Sequence, residues 1–401
     1  MEKLFQYQNN LLKSINKDFQ RYLCDKVHWS ERFVGIKGLR GVGKTTLLLQ
    51  HLKYKLNPSE KHLYVSLDHP YFYNHLLYDL ALEFSQQGGK TLLVDEVHKM
   101  PHWSRQIKNI YDSHPDLQLI FTASSSLDIY RGESDLSRRV LTHQLHGMSF
   151  REYLLFNHGL SFPVISFPEL LNNHIEYSRE ISSKTKPLLH FKNYLQKGYL
   201  PFGKDLSPES YESRLIQTLE VVFNEDLSYV EGYSADKIFK IKKLLGILAE
   251  SVPFTVNVSA IANKLGIGRN TLLEFLYAME KAGLLHFLHR EGKGVSTLQK
   301  PDKIYLENTN MAFALKSNPN AGALRELFVI NQLKNAGATL YLPDKGDVKV
   351  QTKDVEFVLE IGGKSKTNKQ VKDIENSYLA IDGYEYGYQR KIPIYLFGFL
   401  Y

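Results

Sequence analysis

The residues best suited to chemistry lie early in the chain, at Gly38-Leu39-Arg40-Gly41-Val42-Gly43-Lys44-Thr45. Phe33-Val34-Gly35-Ile36 before them reads as a short buried strand, and Thr46-Leu47-Leu48-Leu49-Gln50-His51-Leu52 after them as an amphipathic helix. That is the strand–loop–helix setting in which G-x-x-x-x-G-K-[ST] acts as a phosphate loop. Its glycines let the backbone wrap so that several N–H groups face one anion, and the helix N-terminus adds its dipole. Lys44 then supplies a charge for β- and γ-phosphates, and Thr45 a hydroxyl for Mg²⁺. The candidate nucleotide contacts are Gly38, Leu39, Arg40, Gly41, Val42, Gly43, Lys44, Thr45 and Thr46.

A phosphate loop of this kind needs a second element, an apolar strand ending in carboxylates near the metal. Thr91-Leu92-Leu93-Val94-Asp95-Glu96 follows a Gly88-Gly89 turn and fits. Its continuous apolar run suits a central parallel strand covered on both faces. In that reading Asp95 holds Mg²⁺ through water, and Glu96 is the base that polarises the attacking water. A third strand, Leu117 to Ala123, runs into Ser124 and Ser125, and ligands of parallel sheets meet strand carboxyl ends. Either serine is placed to feel a γ-phosphate; a serine-rich turn has the same sequence. Arg138-Arg139 is a candidate charge stabiliser, in cis or toward a neighbouring subunit, or a solvated basic helix end. Leu63 to Asp68 is a further strand with an acidic exit, and Asp68 is either structural or close to the metal.

Stepping outward, 401 residues suffice for two to three domains at roughly 150 residues each. Hydrophobic content of 43% and charged content of 23% are those of a folded globular chain and exclude a disordered one. A single cysteine, Cys24, excludes an internal disulfide framework and a cysteine-based zinc site, which favours a reducing compartment. The polar start MEKLFQYQNN shows no signal peptide, and no run reaches the roughly 18 apolar residues of a membrane span. The expected location is cytoplasmic, with no membrane partner. His98, His102 and His114 are irregularly spaced, which favours a surface or core role over metal binding.

Arg32 to about Leu155 resembles the AAA-type P-loop ATPases of prokaryotes, in the branch with a C-terminal PD-(D/E)xK nuclease-like module. The residues carrying the likeness are GLRGVGKTTL, LLVDEVHKMPHWS, FTASSSLDIY, LSRR, GMSFREYL and the closing IPIYLFGFLY. The resemblance implies that Lys44 and Thr45 bind nucleotide and Mg²⁺, that Asp95 and Glu96 serve metal and water, and that Ser125 is sensor-like. It makes Arg139 the matching arginine, although the usual Gly-Arg is Arg138-Arg139 here. ATP rather than GTP follows mainly from the resemblance, since no N-K-x-D element is apparent.

The expected architecture is α/β: an ATPase domain with a parallel sheet (1–155), a helical lid (156–232), a winged-helix domain (233–303) and a restriction-endonuclease-like α/β domain (304–401). The lid rests on helices at Phe167–Glu180, Leu188–Lys197 and Glu209–Asp226. The winged helix rests on helices at Lys237–Glu250, Val258–Leu265 and Arg269–Ala282, followed by strands at Leu284–His289 and Val295–Leu298. Residues 236–303 hold eleven lysines and arginines against six acids, or +5 of the chain's +7. Lys264, Arg269, Lys281, Arg290 and Lys293 are the candidate phosphate contacts for DNA, although such a module also serves as a scaffold or protein contact. In the last segment Glu326 lies on a helix, and Asp354 to Glu360 alternates at period two. With Lys364, this resembles a nuclease core in which paired carboxylates hold a metal and the lysine orients water. The spacing departs from that pattern. Three residues separate Glu360 from Lys364, and no proline precedes Asp354, so a fold relic used for binding is the expectation. The reading overall is a Mg²⁺-dependent ATPase acting as a nucleotide-driven switch, slow until a client protein or second copy completes the site. The alternatives are an ATP-gated nuclease and a pure binding module.

Overall fold

The computed structural model describes residues 1–401 except 124–135, 231–232, 252–253, 256, 293–299 and 368–370. Two compact units divide the chain, Met1–Gly147 and Met148–Tyr401. The segments expected at 156–232, 233–303 and 304–401 therefore lie together in the second unit. Among the described residues no helix is long and apolar enough to cross a membrane.

In the first unit the chain forms α1 (Glu2–Lys13), β1 (Phe33–Lys37), α2 (Lys44–Tyr54), β2 (Lys61–Ser66), α3 (Leu77–Gln86), β3 (Gly89–Asp95), α4 (Trp103–Ser113), β4 (Gln118–Ala123) and β5 (Leu141–Gln144). The strands make one sheet in the order β2-β3-β4-β1-β5, and every pairing is parallel. Parallel strands are covered on both faces, so they read as apolar runs. Val34, Ile36, Leu92, Leu93 and Val94 are fully buried. Each such side chain contributes about 1.5–3 kcal/mol by leaving water. All five strands end on one side of the sheet. Ser66 pairs with Asp95, Val94 with Phe121, and Ala123 with Lys37. The phosphate loop and the Asp-Glu pair thus emerge at the same edge, with β4 between their strands.

The second unit opens with α5 (Phe150–His158), α6 (Phe167–Lys184), α7 (Pro187–Lys197) and α8 (Pro208–Val221). Ser149 and Ser166 each start a helix with a capping box, closed by Glu152 and Glu169. A π-helical stretch at Val222–Val230 carries the last expected lid helix to its end. Next come α9 (Ala235–Ser251), β6 (Phe254–Thr255), α10 (Val258–Leu265), α11 (Arg269–Lys281), β7 (Leu285–Arg290) and β8 (Lys303–Leu306). The strand expected at 295–298 lies outside the described residues. The chain closes with α12 (Thr309–Leu315), α13 (Ala321–Asn335), β9 (Thr339–Leu342), β10 (Val348–Gln351), β11 (Glu356–Gly362), β12 (Ser377–Ile381) and β13 (Lys391–Pro393). One eight-stranded sheet joins these parts in the order β13-β12-β11-β10-β9-β7-β8-β6. Parallel pairing of His289 with Tyr341 and Arg290 with Leu342 makes the join. Sequence patterning points to β7 and β11 but not to β6, β8, β12, β13 or this junction.

Polar side chains tie the helices of this unit together around Glu307, which is almost fully buried. The Tyr199 hydroxyl donates to Glu307 Oε1 at 2.6 Å, and Asn331 Nδ2 donates to the Glu307 carbonyl at 2.8 Å. Burial pushes the Glu307 carboxyl up to about 7, against the lowering effect of these donors. The fold therefore holds the proton more tightly than the unfolded chain does. Stability from this group is full below the ordinary carboxylate value and is lost as pH rises toward 7. In urea titrations between pH 5 and 7.5 this group should contribute a downward slope totalling on the order of a few kcal/mol, opposite in sign to the rise from His51, His98 and His146, which burial holds neutral. Glu307→Gln should flatten that slope; an unchanged slope would remove Glu307 as its source.

Candidate nucleotide site

The loop after β1 is shaped by its glycines. Gly41 and Gly43 have φ of 82° and 96°, a region that side chains with a Cβ rarely enter. A Cβ on Gly38 would meet the Leu145 carbonyl oxygen at 2.3 Å, so the loop lies directly against the residue following β5. Gly43 is the N-cap of α2, which places Lys44 and Thr45 in its first turn. The Lys44 ammonium, nearly buried, donates to the carbonyls of Gly38 and Leu39, both at 2.9 Å. From behind, buried Arg21 donates to the Val42 carbonyl, and its other nitrogen reaches the His146 carbonyl at 2.7 Å.

Asp95 is the point where the strands converge. Thr45 Oγ1 donates to its Oδ2 at 2.6 Å and the Tyr64 hydroxyl to the same oxygen at 2.9 Å. Thr122 Oγ1 donates to Oδ1 and also accepts the Glu96 N–H at 3.1 Å. Helix α2 and strands β2 and β4 thus all fix one carboxylate, itself 3% exposed. Burial and the Asp95 charge push the Tyr64 hydroxyl far up, so it stays a donor.

Glu96 follows with φ of 57°, a strained left-handed setting for a glutamate. Its Oε2 is 3.3 Å from His98 Nε2 and 4.0 Å from Arg40 Nη1. That oxygen is buried and makes no hydrogen bond among the described residues. Burial raises the Glu96 carboxyl; Lys44 opposes this, Asp95 adds to it and Arg40 opposes it. Burial, reinforced by Arg40, Lys44 and Lys99, holds His98 far below its ordinary value, so its ring is neutral. A hydroxyl and a carboxylate at 2.6 Å, beside a lysine and an anion-facing helix start, form a hard-oxygen set that suits Mg²⁺.

The sequence-derived residues fare unequally. Lys44, Thr45, Asp95 and Glu96 are brought together. Ser124 and Ser125 lie outside the described residues. Arg139 donates to both Asp112 oxygens, at 3.0 and 3.3 Å, two residues before β5 begins. Leu141 pairs with Val34, so Arg139 sits at the opening end of the strands, opposite the phosphate loop. Asp68 is exposed and lies 3.8 Å from Lys99. Tyr64, Thr122 and Arg21 were given no role from sequence, and His98 only a surface or core one. The hydroxyls sit inside strands that read only as apolar, and Arg21 precedes the first strand.

In the C-terminal sheet the expected acids are not gathered as expected. Asp354 is exposed in a turn, where its N–H donates to Thr352 Oγ1, and β11 begins only at Glu356. Even spacing along a strand therefore does not place it beside Glu360. The charges that reach buried Glu360 are those of Lys366, Asp347 and Glu326, and burial raises its carboxyl. Lys366, not Lys364, pairs with it at 2.6 Å. Glu326 is held by Lys303 at 3.2 Å and by the Tyr305 hydroxyl at 2.9 Å. Among the described residues no group of three or more His, Cys, Asp or Glu side chains is arranged to hold a metal ion. Of the basic residues considered for DNA, Lys264, Arg269 and Lys281 are exposed, Arg290 pairs with Asp344 at 3.2 Å, and Lys293 lies outside the described residues.

Gly38→Ala should lower stability by about 1–3 kcal/mol, the usual cost of overpacking, because the new methyl meets backbone oxygen. Thermal melting of the variant checks this, and an unchanged melting temperature would mean that the loop shifts freely.

Residues 30–154 match the family model described as an AAA domain. The uncharacterized protein MJ1637 of Methanocaldococcus jannaschii is 28% identical over 398 residues, covering 90% of this chain and 84% of the relative. MJ1544 of the same organism is 22% identical over 370 residues, covering 90% and 77%. Among solved structures, the Walker-type ATPase PABY2304 of Pyrococcus abyssi is similar with a TM-score of 0.41 at 12% identity, over 74% of this chain and 95% of that one. AMPPCP-bound DnaA from Aquifex aeolicus gives 0.25 at 15% identity, over 70% and 88%. Likenesses at these scores carry no functional weight. The family match covers residues 30–154, and the parallel sheet with its phosphate loop is in keeping with it.

Proposed function

We propose that the chain binds ATP with Mg²⁺ and hydrolyses it as a nucleotide-driven switch. The observation that carries this is the pairing of Thr45 with Asp95 at 2.6 Å beside Lys44. Amides of Gly41 to Thr45 and the Lys44 ammonium bind the β- and γ-phosphates. Thr45 and Asp95 hold the ion, which when bound neutralises charge on the transferring phosphoryl group. Glu96 accepts a proton from water, and its raised carboxyl suits a base working near neutral pH. Thr122 fixes the Asp95 oxygen and the Glu96 N–H at once, so metal site and base keep one spacing. Arg139 is engaged at the other end of the strands, which supports slow turnover until a client or a second copy contributes.

Phosphate release from Mg·ATP tests the reading. Lys44→Ala should abolish both binding and turnover. Glu96→Gln should retain ATP but lose turnover by about a hundred-fold or more. Wild-type release at background level, with and without DNA, would leave only a nucleotide-stabilised binding module.

The second unit then acts as the responding and binding part, with a winged-helix role for residues 233–303. The helix–strand–helix–helix–hairpin order and exposed Lys264 and Arg269 support DNA as a partner. A binding relic, rather than an ATP-gated nuclease, is supported by the Glu360–Lys366 ion pair and the exposed Asp354. Incubation with DNA and Mn²⁺ should give no cleavage. Cleavage that disappears in Glu360→Gln would reverse this.

A further inference from the structure

The ATPase reading counts Arg40 among the nucleotide contacts but gives it no specific role. Arg40 is the third residue of the phosphate loop, between Gly38 and the positive-φ Gly41. Its guanidinium does not point away from the site: Nη1 is 4.0 Å from Glu96 Oε2, and both side chains are less than one-fifth exposed. Arg40 and Lys44 both act on the Glu96 and His98 charges, so all four groups share one electrostatic neighbourhood. His98 is neutral there and cannot neutralise Glu96, so Lys44 and Arg40 supply the opposing charge. Lys44 is already directed at loop carbonyls. Arg139, the arginine expected from sequence, is occupied by Asp112 at the other end of the sheet.

We infer that Arg40 is the residue that reads the terminal phosphate, and that it does so by exchanging partners between Glu96 and the γ-phosphoryl oxygens. The inference rests on the ATPase reading above. A guanidinium prefers a planar pair of phosphate oxygens to a single carboxylate oxygen at 4.0 Å. With a triphosphate in the loop, Arg40 engages the γ-phosphoryl group and Glu96 is released to face water. Water oxygen then bonds to the γ-phosphorus as the bond to the β–γ bridging oxygen breaks. The electron pair leaves on the diphosphate, and one water proton passes to the Glu96 carboxylate. Arg40 stabilises the charge on the transferring group throughout. A diphosphate offers no such oxygens, so the Arg40–Glu96 pair persists and the base stays engaged.

The test compares ADP with the β,γ-methylene triphosphate by calorimetry in magnesium buffer, together with ATP turnover, for wild type, Arg40→Ala and Arg40→Lys. Arg40→Ala should keep ADP affinity within about two-fold and lose the preference for the triphosphate, while turnover falls by about a hundred-fold or more. Arg40→Lys should recover affinity for the triphosphate only in part, since it lacks the planar fork. Equal losses for ADP and the triphosphate would make Arg40 a structural loop residue and overturn the inference. Unchanged turnover in Arg40→Ala would also overturn it. Wild-type chain that binds neither nucleotide, or binds without turnover, would instead overturn the ATPase reading beneath it.

Discussion

The carboxylate of Asp95 is the constraint around which the first unit is organised. Three hydroxyls, from Thr45, Tyr64 and Thr122, arrive at its two oxygens from a helix and two strands. A buried charge is costly unless it is satisfied by well-placed donors. Here those donors lie on elements that must be in parallel register to deliver them. The register of β2, β3 and β4 is therefore tied to the same carboxylate that the proposed metal chemistry needs. Packing alone would tolerate a sheet with small slips, but this carboxylate would not.

Glu96 shows the complementary principle. It occupies a left-handed conformation and, among the described residues, presents a buried oxygen without a hydrogen bond. Both features cost free energy, and both are tolerated because Thr122 holds its N–H and the neighbouring strand ends hold the chain. A base kept short of donors is more basic than a surface glutamate. The same shortage makes it responsive to whichever cation lies nearest, which places Lys44 and Arg40 at the centre of its control.

What the sequence revealed follows from what each signal encodes. The phosphate loop was legible because its glycines and lysine are needed at fixed positions, and Asp95-Glu96 because a buried strand ends abruptly in charge. Tyr64 and Thr122 were not legible, since a hydroxyl inside an apolar run has the same pattern whether it meets a carboxylate or a backbone group. Arg139 illustrates the opposite case: likeness by position does not say which end of a strand a residue occupies, and this one lies away from its own phosphate loop. Asp354 illustrates a third. Period-two spacing places two acids on one face only when both lie within the strand, and this one falls two residues short. Strand β11 was recognisable from its alternation, whereas α12, β12 and β13 were not. The merger of the C-terminal strands with the preceding hairpin was not legible either, because two backbone pairings leave no trace in composition.

That merger has a practical consequence. Because His289–Tyr341 and Arg290–Leu342 continue one sheet across what looks like a domain border, neither side owns a finished rim. Cutting the gene between them would leave β7 and β9 each with a bare row of amides and carbonyls, the template for promiscuous strand addition. The two halves of this sheet thus belong together, and a fragment ending at either side exposes an edge that invites aggregation.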